Sequence, residues 1–485
     1  MAKKYFIKSL LTLFFLVLAA AAAYGSFFVW KLHSAGKKIS FNVSQNQSLL
    51  ETVKNIASSK KPELWENKER INILLLGIAG EGKAGRNLTD TIMVASINLK
   101  TGQLALISIP RDLYVTVPEK NLSMKINSVY QSSLSSTGKD KEQSAEIARD
   151  TVEEITSLDM EYYVILDFDG FQKIIDSADG INITNERDIY DARYPGPNYS
   201  YETFELEKGF HHLDGATALK YARVRHGDPE GDFGRAKRQQ QVIQALKNRI
   251  FSTRTLLDVF ALNNLFDALG ENIKTNIPPE EFESFLELSK KLDTNNINNI
   301  VINAWDKGSL LKVSHVFHGG TRAFVLVPRV GNWSEVQEIS QNAFDINRIQ
   351  KRREEIAQEN ATIAIINASG DENIPDKIKK LLKDNLDYKS VVVINNPENI
   401  LIEKTLIYEL KSGQKPFTLD ELALKLPAEV SSDMGEDYTT LLNNVTADVI
   451  VVIGKDLIER YNMEEASLEE YKNSTDVNEY VEFRK

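Results

Sequence analysis

Ile71-Asn72-Ile73-Leu74-Leu75-Leu76-Gly77 is the stretch on which the fold turns. A short apolar run ended by glycine suits a strand buried on both faces, the kind found inside an α/β sheet. Further strand candidates follow at Thr91 to Asn98, Leu104 to Ile109 and Tyr162 to Leu166, with Thr101-Gly102 as a turn that hints at a hairpin. Helical spacing of apolar residues marks Lys139 to Leu158, Asp214 to Tyr221 and Arg235 to Arg254. Val242, Ile243, Leu246 and Ile250 form the core-facing stripe of the last of these. Tyr190 to Tyr201, with Pro195-Gly196-Pro197, has the composition of a surface loop. Leu256 to Trp333 continues with helices and a strand near Phe324 to Val327.

Glu335 to Glu359 is polar and charged, as a linker would be. A second unit starts at Ala361, with strands at Thr362 to Asn367 and Ser390 to Ile394 and a helix at Ile374 to Asn385. Thr405 to Leu410 and Asp448 to Gly454 are two further strand candidates. Outward in the other direction, His33 to Arg70 is a polar, lysine-rich spacer. Before it, Lys3, Lys4 and Lys8 precede an apolar run from Leu10 to Trp30. About 20 residues of helix cross a bilayer, and the early lysines orient such a span with the rest of the chain outside the cytoplasm. A cleaved signal peptide is the rival reading; its apolar region would be unusually long.

The 485 residues suit about three domains, and 42% hydrophobic residues suffice for a sizeable core. The net charge of −11 argues against a nucleic-acid binder, so any anion site must be a local patch. Cysteine is absent, which removes disulfides, thiolate metal sites and a cysteine nucleophile.

Such a patch exists. Arg223 and Arg225 stand two apart, so an extended backbone would turn both guanidinium groups to one side. Arg235, Arg238 and Gln239 have the spacing of one helix face, at a helix start that attracts anions. Arginine's planar fork matches phosphate oxygens and keeps its charge. A phosphate or pyrophosphate site is the inference. Asp90 and Asp112, beside predicted strand ends, would repel a polyanion unless a cation intervened. Magnesium, which takes one or two carboxylates plus phosphate oxygens, is the natural one. His211, His212, His315 and His318 lack a third ligand at a recognisable spacing, so surface or packing roles are expected for them.

Six segments in this order resemble the catalytic domain of the LytR–CpsA–Psr family. They are the apolar start at Asn72, the Thr-Asp-Thr strand at Thr89, Ile109-Pro110-Arg111-Asp112, Lys125-Ile126-Asn127, Tyr221-Ala222-Arg223-Val224-Arg225 and the Gly234-Arg235-x-x-Arg238-Gln239 helix. The resemblance runs from about Ile71 to Arg249 and more loosely to Trp333. It implies transfer of a glycopolymer from a polyprenyl-pyrophosphate carrier to peptidoglycan or another envelope acceptor.

By position it makes Asp90 and Asp112 the carboxylates near magnesium (or manganese). Arg111, Arg223, Arg225, Arg235 and Gln239 become the pyrophosphate ligands, with Arg238 and Lys125 in support. Asp90, Asp112, Arg111, Arg223 and Arg225 are the expected catalytic set. The family arginine two residues before the first aspartate is here Leu88, and the nearest arginine is Arg86. Two alternatives share these residues: a polyprenyl-pyrophosphate hydrolase and a non-catalytic lipid-phosphate-binding scaffold.

The expected architecture is therefore α/β throughout. Residues 1–32 form a cytoplasmic tip and single membrane span, 33–70 an extracytoplasmic spacer and 71–334 a mixed-sheet α/β sandwich catalytic domain. Residues 335–360 are a linker, 361–457 a smaller α/β module like the C-terminal domain of LytR-type members, and 458–485 a charged tail.

Overall fold

The computed structural model describes residues 65–470, apart from stretches of which the longest are 251–271, 432–446 and 305–308. The apolar run from Leu10 to Trp30, the spacer to Leu64, Arg225 and the tail from 471 lie outside the described residues. Among the described residues no helix is long and apolar enough to cross a membrane.

The elements alternate as the apolar pattern predicts. Strand β1 (Arg70–Ile78) has no exposed residue, and neither do β2 (Thr89–Asn98) or β3 (Gln103–Ile109). Continuous apolar runs are compatible with strands covered on both faces. A hairpin of β4 (Tyr114–Val117) and β5 (Leu122–Lys125) follows, then helices α1 (Val129–Ser136) and α2 (Lys141–Thr156). Asp140 caps α2 by accepting from the backbone N–H groups of Glu142 and Gln143, both at 3.0 Å. Ser157, at φ 49°, ends it in the left-handed region.

Next come β6 (Tyr162–Asp167), α3 (Phe168–Ser177), β7 (Ile181–Asn185), β8 (Ile189–Pro195), β9 (Tyr201–Leu206) and β10 (Gly209–Leu213). Helices α4 (Gly215–Arg223) and α5 (Asp232–Ile250) are followed by β11 (Ile273–Thr275), α6 (Phe282–Lys291) and β12 (Asp293–Val301). The hairpin β13 (Leu311–His318) and β14 (Thr321–Pro328) leads to α7 (Ser334–Gln341) and α8 (Asn347–Glu359). The chain closes with β15 (Thr362–Asn367), α9 (Ile374–Lys380), β16 (Ser390–Ile394), β17 (Leu406–Glu409), α10 (Pro416–Lys425), β18 (Glu429–Ser431), β19 (Val449–Ile453) and α11 (Asp456–Tyr461).

The chain divides into two compact units that do not follow successive stretches of sequence. One holds residues 1–86, 97–104 and 161–297, the other residues 87–96, 105–160 and 298–485. In the first, β1 pairs in parallel with β6, and β6 in turn pairs antiparallel with β11. This unit is a mixed α/β structure. Helix α4 packs on α3, and the approach is so close that a Cβ on Gly215 would stand 2.3 Å from the carbonyl oxygen of Gln172. Val242 of α5 shares a buried cluster with Ile175, Tyr194, Phe204, Tyr221 and Val224.

Two expectations are corrected here. Tyr190 to Tyr201 is not a plain loop: β8 and β9 pair as an antiparallel hairpin, with a register shift between Asp191 and Tyr194. Proline and glycine at its tip hide an alternating stretch in which Asp191, Tyr194 and Phe204 turn inward. Arg223 is likewise not on an extended backbone but is the last residue of α4, so the two-apart argument fails for it.

In the second unit a five-stranded mixed sheet has the order β16-β15-β19-β17-β18. β15 is parallel to both its neighbours, and one face is buried under α9, α10 and α11. Where polarity predicts a linker over 335–360, the chain forms most of α7 and α8. The charges there are paired within this unit. Arg329 forks onto Glu335 at 2.8 and 2.7 Å, Lys425 meets Glu338 at 3.1 Å, and the Tyr461 hydroxyl donates to the Val330 carbonyl at 2.6 Å.

Candidate functional site

In the second unit the Pro110-Arg111-Asp112-Leu113 turn follows β3. Proline has no N–H to offer a neighbouring strand, so the ladder stops there, and the Leu113 N–H closes the turn on the Pro110 carbonyl at 3.2 Å. The next residues are held from two sides. Ile126 N donates to Leu113 O at 2.8 Å and Asn127 N to Arg111 O at 3.2 Å, while Leu326 N donates to Asp112 O at 3.0 Å. This backbone frame aims four charged side chains at one another.

Arg111, only 7% exposed, donates from Nη1 to Asp90 Oδ1 at 2.8 Å. Its Nε lies 3.6 Å from Asp112 Oδ2. Lys125 Nζ donates to Asp112 Oδ1 at 2.7 Å. Two carboxylates and two cations thus alternate through space. Asp112 is buried, whereas the side chain of Asp90 keeps 32% of its surface. A guanidinium with two carboxylates is held in one orientation, and removing the buried partner, Asp112, leaves buried charge uncompensated.

The first unit carries the second cluster, at the C-terminal end of α4. Arg223 stacks its guanidinium over Phe168, 4.2 Å from the ring centroid, and donates from Nη1 to the Tyr194 hydroxyl at 3.1 Å. Phe168 opens α3 directly after β6, and Asp167 caps that helix by accepting from Gly170 N at 2.7 Å. The glycine-rich turn after β1 reaches the same place, with a Cβ on Gly80 lying 3.0 Å from Asp167 Cβ. Arg223 therefore stands at the carboxyl ends of the parallel pair β1 and β6, where open α/β sheets receive ligands. Burial and nearby carboxylates raise the Tyr194 phenol above its ordinary pKa against the pull of Arg223, so it stays neutral.

Arg238 has another job. It is buried, donates from Nε to the Tyr221 carbonyl at 3.0 Å, and reaches the Val224 carbonyl and the Asp228 carboxylate with its remaining nitrogens. Gln239 Nε2 adds a bond to the Ala222 carbonyl at 3.3 Å. These are the carbonyls that the end of α4 leaves without helical partners. Arg238 and Gln239 thus tie down the segment that presents Arg223. Tyr221, whose hydroxyl donates to Gln241 at 2.7 Å, is pushed up to about 12 by burial.

Of the expected residues, Asp90, Arg111, Asp112 and Lys125 are brought together in one unit, and Arg223, Arg238 and Gln239 in the other. Arg235 is buried on the first turn of α5. Arg225 lies outside the described residues. Arg86 is exposed in the turn after β1, where its carbonyl accepts from Gly80 N at 2.9 Å. Phe168, Tyr194 and Asp228 were not legible as site residues, since each serves through a partner distant in sequence.

Asp90 and Asp112 share one guanidinium, so two hard oxygen donors are neighbours, which is the number magnesium takes when phosphate and water complete its shell. Among the described residues no group of three or more His, Cys, Asp or Glu side chains forms a metal cage. Among the same residues, Asp90 and Asp112, both paired to cationic side chains, are the only two oxygen donors of this cluster that a magnesium or manganese ion could take. His315 is instead a buried residue of β13, 3.4 Å from Arg322.

The LytR_cpsA_psr family model matches residues 29–320, more than half of the chain, so this protein belongs to that family. It is 30% identical over 245 residues to the polyisoprenyl-teichoic acid–peptidoglycan teichoic acid transferase TagU of Enterococcus faecalis, covering 50% of this chain and 73% of that one. It is 36% identical over 215 residues to the regulatory protein MsrR of Staphylococcus aureus strain COL, covering 44% of this chain and 58% of the relative, less than two thirds of its length. The crystal structure of B. subtilis TagV shares 26% identity over 57% of this chain and 98% of that chain, with a TM-score of 0.44.

Proposed function

We propose that this protein is a metal-assisted phosphotransferase that moves a glycopolymer from a polyprenyl-pyrophosphate carrier to peptidoglycan or another envelope acceptor. The observation that carries the proposal is Arg111 held between Asp90 and Asp112, with Lys125 on the far side of Asp112. Asp90 and Asp112 orient the two cations and are also the oxygen donors that transfer assisted by a divalent cation would use. Family membership supports the reading, and so does the transferase activity for which the Enterococcus faecalis relative is named.

In this mechanism Arg111, Arg223, Arg225, Arg235 and Gln239 bind the pyrophosphate, with Lys125 and Arg238 in support. An acceptor sugar hydroxyl attacks the phosphorus that bears the glycan. A new P–O bond to the acceptor forms as the bond from that phosphorus to the bridging oxygen breaks, and polyprenyl phosphate departs. The hydroxyl proton passes to a base, for which Asp90 is the better exposed carboxylate. Asp90 and Asp112 would hold magnesium or manganese, whose chemistry here is neutralising charge on the leaving phosphate. Positioning and charge stabilisation by the arginines supply most of the acceleration. The proposed anchor is the run from Leu10 to Trp30, which places the rest of the chain outside the cytoplasmic membrane.

The test is to incubate the protein with a polyprenyl-pyrophosphate glycan and magnesium, with and without peptidoglycan oligomers, and separate the products. Glycan joined covalently to the acceptor, lost on chelation and in Asp90→Ala, is the expected result. Free glycan phosphate as the sole product would make it a hydrolase. Lipid binding without turnover would make it a carrier-binding scaffold.

A further inference from the structure

We infer that Tyr194 and Phe168 form a positioning cage that holds the Arg223 guanidinium in one orientation for pyrophosphate. The inference rests on the proposed role of Arg223 and adds two residues that no family motif of the sequence contains. The cage is built from three directions. Phe168, the first residue of α3, presents its ring at 4.2 Å from the guanidinium carbon. Tyr194, the inward residue of β8 after the register shift, accepts from Nη1 at 3.1 Å, and its ring centroid lies 5.5 Å away. Arg238 and Gln239 secure the backbone of Tyr221, Ala222 and Val224 around it.

An arginine at a helix end otherwise samples many rotamers, and fixing its long side chain costs rotamer entropy. Stacking on Phe168 and the bond to Tyr194 meet that cost before the ligand arrives. Preorganised donors stabilise developing charge better than donors that must be gathered. The Tyr194 hydroxyl occupies one N–H of the five that arginine carries, which leaves four to bind a phosphate. Tyr194 itself is rigid: it is 3% exposed, and its ring packs on Phe204 with centroids 5.9 Å apart. Lys220, paired with Glu202 at 2.8 Å, lies over the same tyrosine ring at 5.8 Å. Tyr194 thus sits between two cations, one neutralised by Glu202 and one kept for the ligand.

A double-mutant cycle separates positioning from mere packing. The affinity of the full chain for inorganic pyrophosphate with magnesium is measured by calorimetry for wild type, Tyr194→Phe, Phe168→Leu, Arg223→Ala and the two doubles. Tyr194→Phe keeps the ring and its packing, so the thermal unfolding midpoint should not move. Its affinity should fall about tenfold, the scale of a bond to a charged group, and Phe168→Leu should cost about threefold. In the Arg223→Ala background neither change should cost anything further. An equal loss in both backgrounds would make the two aromatics structural, and no loss in wild type would remove the cage. If Arg223→Ala binds pyrophosphate as wild type does, the proposed role of Arg223 fails first and the cage has nothing to position.

Discussion

Arg111 Nη1 donates to Asp90 Oδ1 at 2.8 Å, joining the turn after β3 to the second residue of β2 across 21 positions of sequence. The same guanidinium lies beside Asp112, so two aspartates that look equivalent in the sequence occupy unlike environments. One is half-exposed and the other is buried.

That difference predicts unlike stability losses. Asp112→Ala strips a buried arginine and Lys125 of their common partner and should destabilise by about 3–5 kcal/mol. Asp90→Ala leaves Arg111 beside Asp112 and should cost about 1 kcal/mol or less. Chemical denaturation of both variants checks this. The two should nonetheless lose transfer activity alike, and a stable, active Asp90→Ala would remove it from the reaction.

Arg238 should behave as a brace. Arg238→Ala removes the donor that the carbonyls of Tyr221 and Val224 share with the buried Asp228 carboxylate, which keeps Arg187 at 3.6 Å. A loss of about 1–3 kcal/mol is expected from the buried acceptors that lose this partner, together with reduced turnover through a displaced Arg223. Arg238→Lys should recover little of either, because an ammonium cannot span three acceptors set out for a fork. Urea midpoints and rates on the same preparations would show it.

In the second unit, Arg329 and Glu335 form a buried bidentate pair at the root of the helical segment that replaces the expected linker. Glu335→Ala should destabilise by about 3–5 kcal/mol, while Arg329→Met combined with Glu335→Leu should restore most of it. Equal stability of the single and double variants would show that the pair contributes through something other than its charges.

Glu421 adds a pH dependence. Burial raises its pKa above the usual carboxylate value of 4.5, against the opposing pull of Lys425 and Arg352 and with Glu338 and Glu335 adding to it. In the unfolded chain it ionises near 4.5, while in the fold it holds its proton to higher pH. The folded state therefore binds more protons in that window, and the contribution of Glu421 to stability falls as pH rises above 4.5. Glu421→Gln should flatten the stability profile there. Denaturation midpoints between pH 4 and 8 would reveal it, and an unchanged profile would place the linkage elsewhere.

Much of this was legible in the sequence. Six family motifs and the apolar runs announced the α/β elements, and β1, β3, β6 and β15 fall within a residue or two of where their patterns place them. The run ending at Gly77 could be recognised because a strand covered on both faces needs apolar residues at every position, a property of neighbours in the chain. Short half-exposed strands such as β4 and β7 carry no such run, and the tip composition of the β8–β9 hairpin masks its inward residues.

Residue types, their order and their membership of one family were determined by the sequence alone, because charge, hydrogen-bonding capacity and local periodicity are written residue by residue. Tertiary structure alone decided that Arg223 ends a helix, that Arg238 serves its carbonyls rather than facing solvent, and that Phe168 and Tyr194 hold it. Those roles depend on which distant groups come within about 3–4 Å, and contact at that range follows from the packing of whole elements.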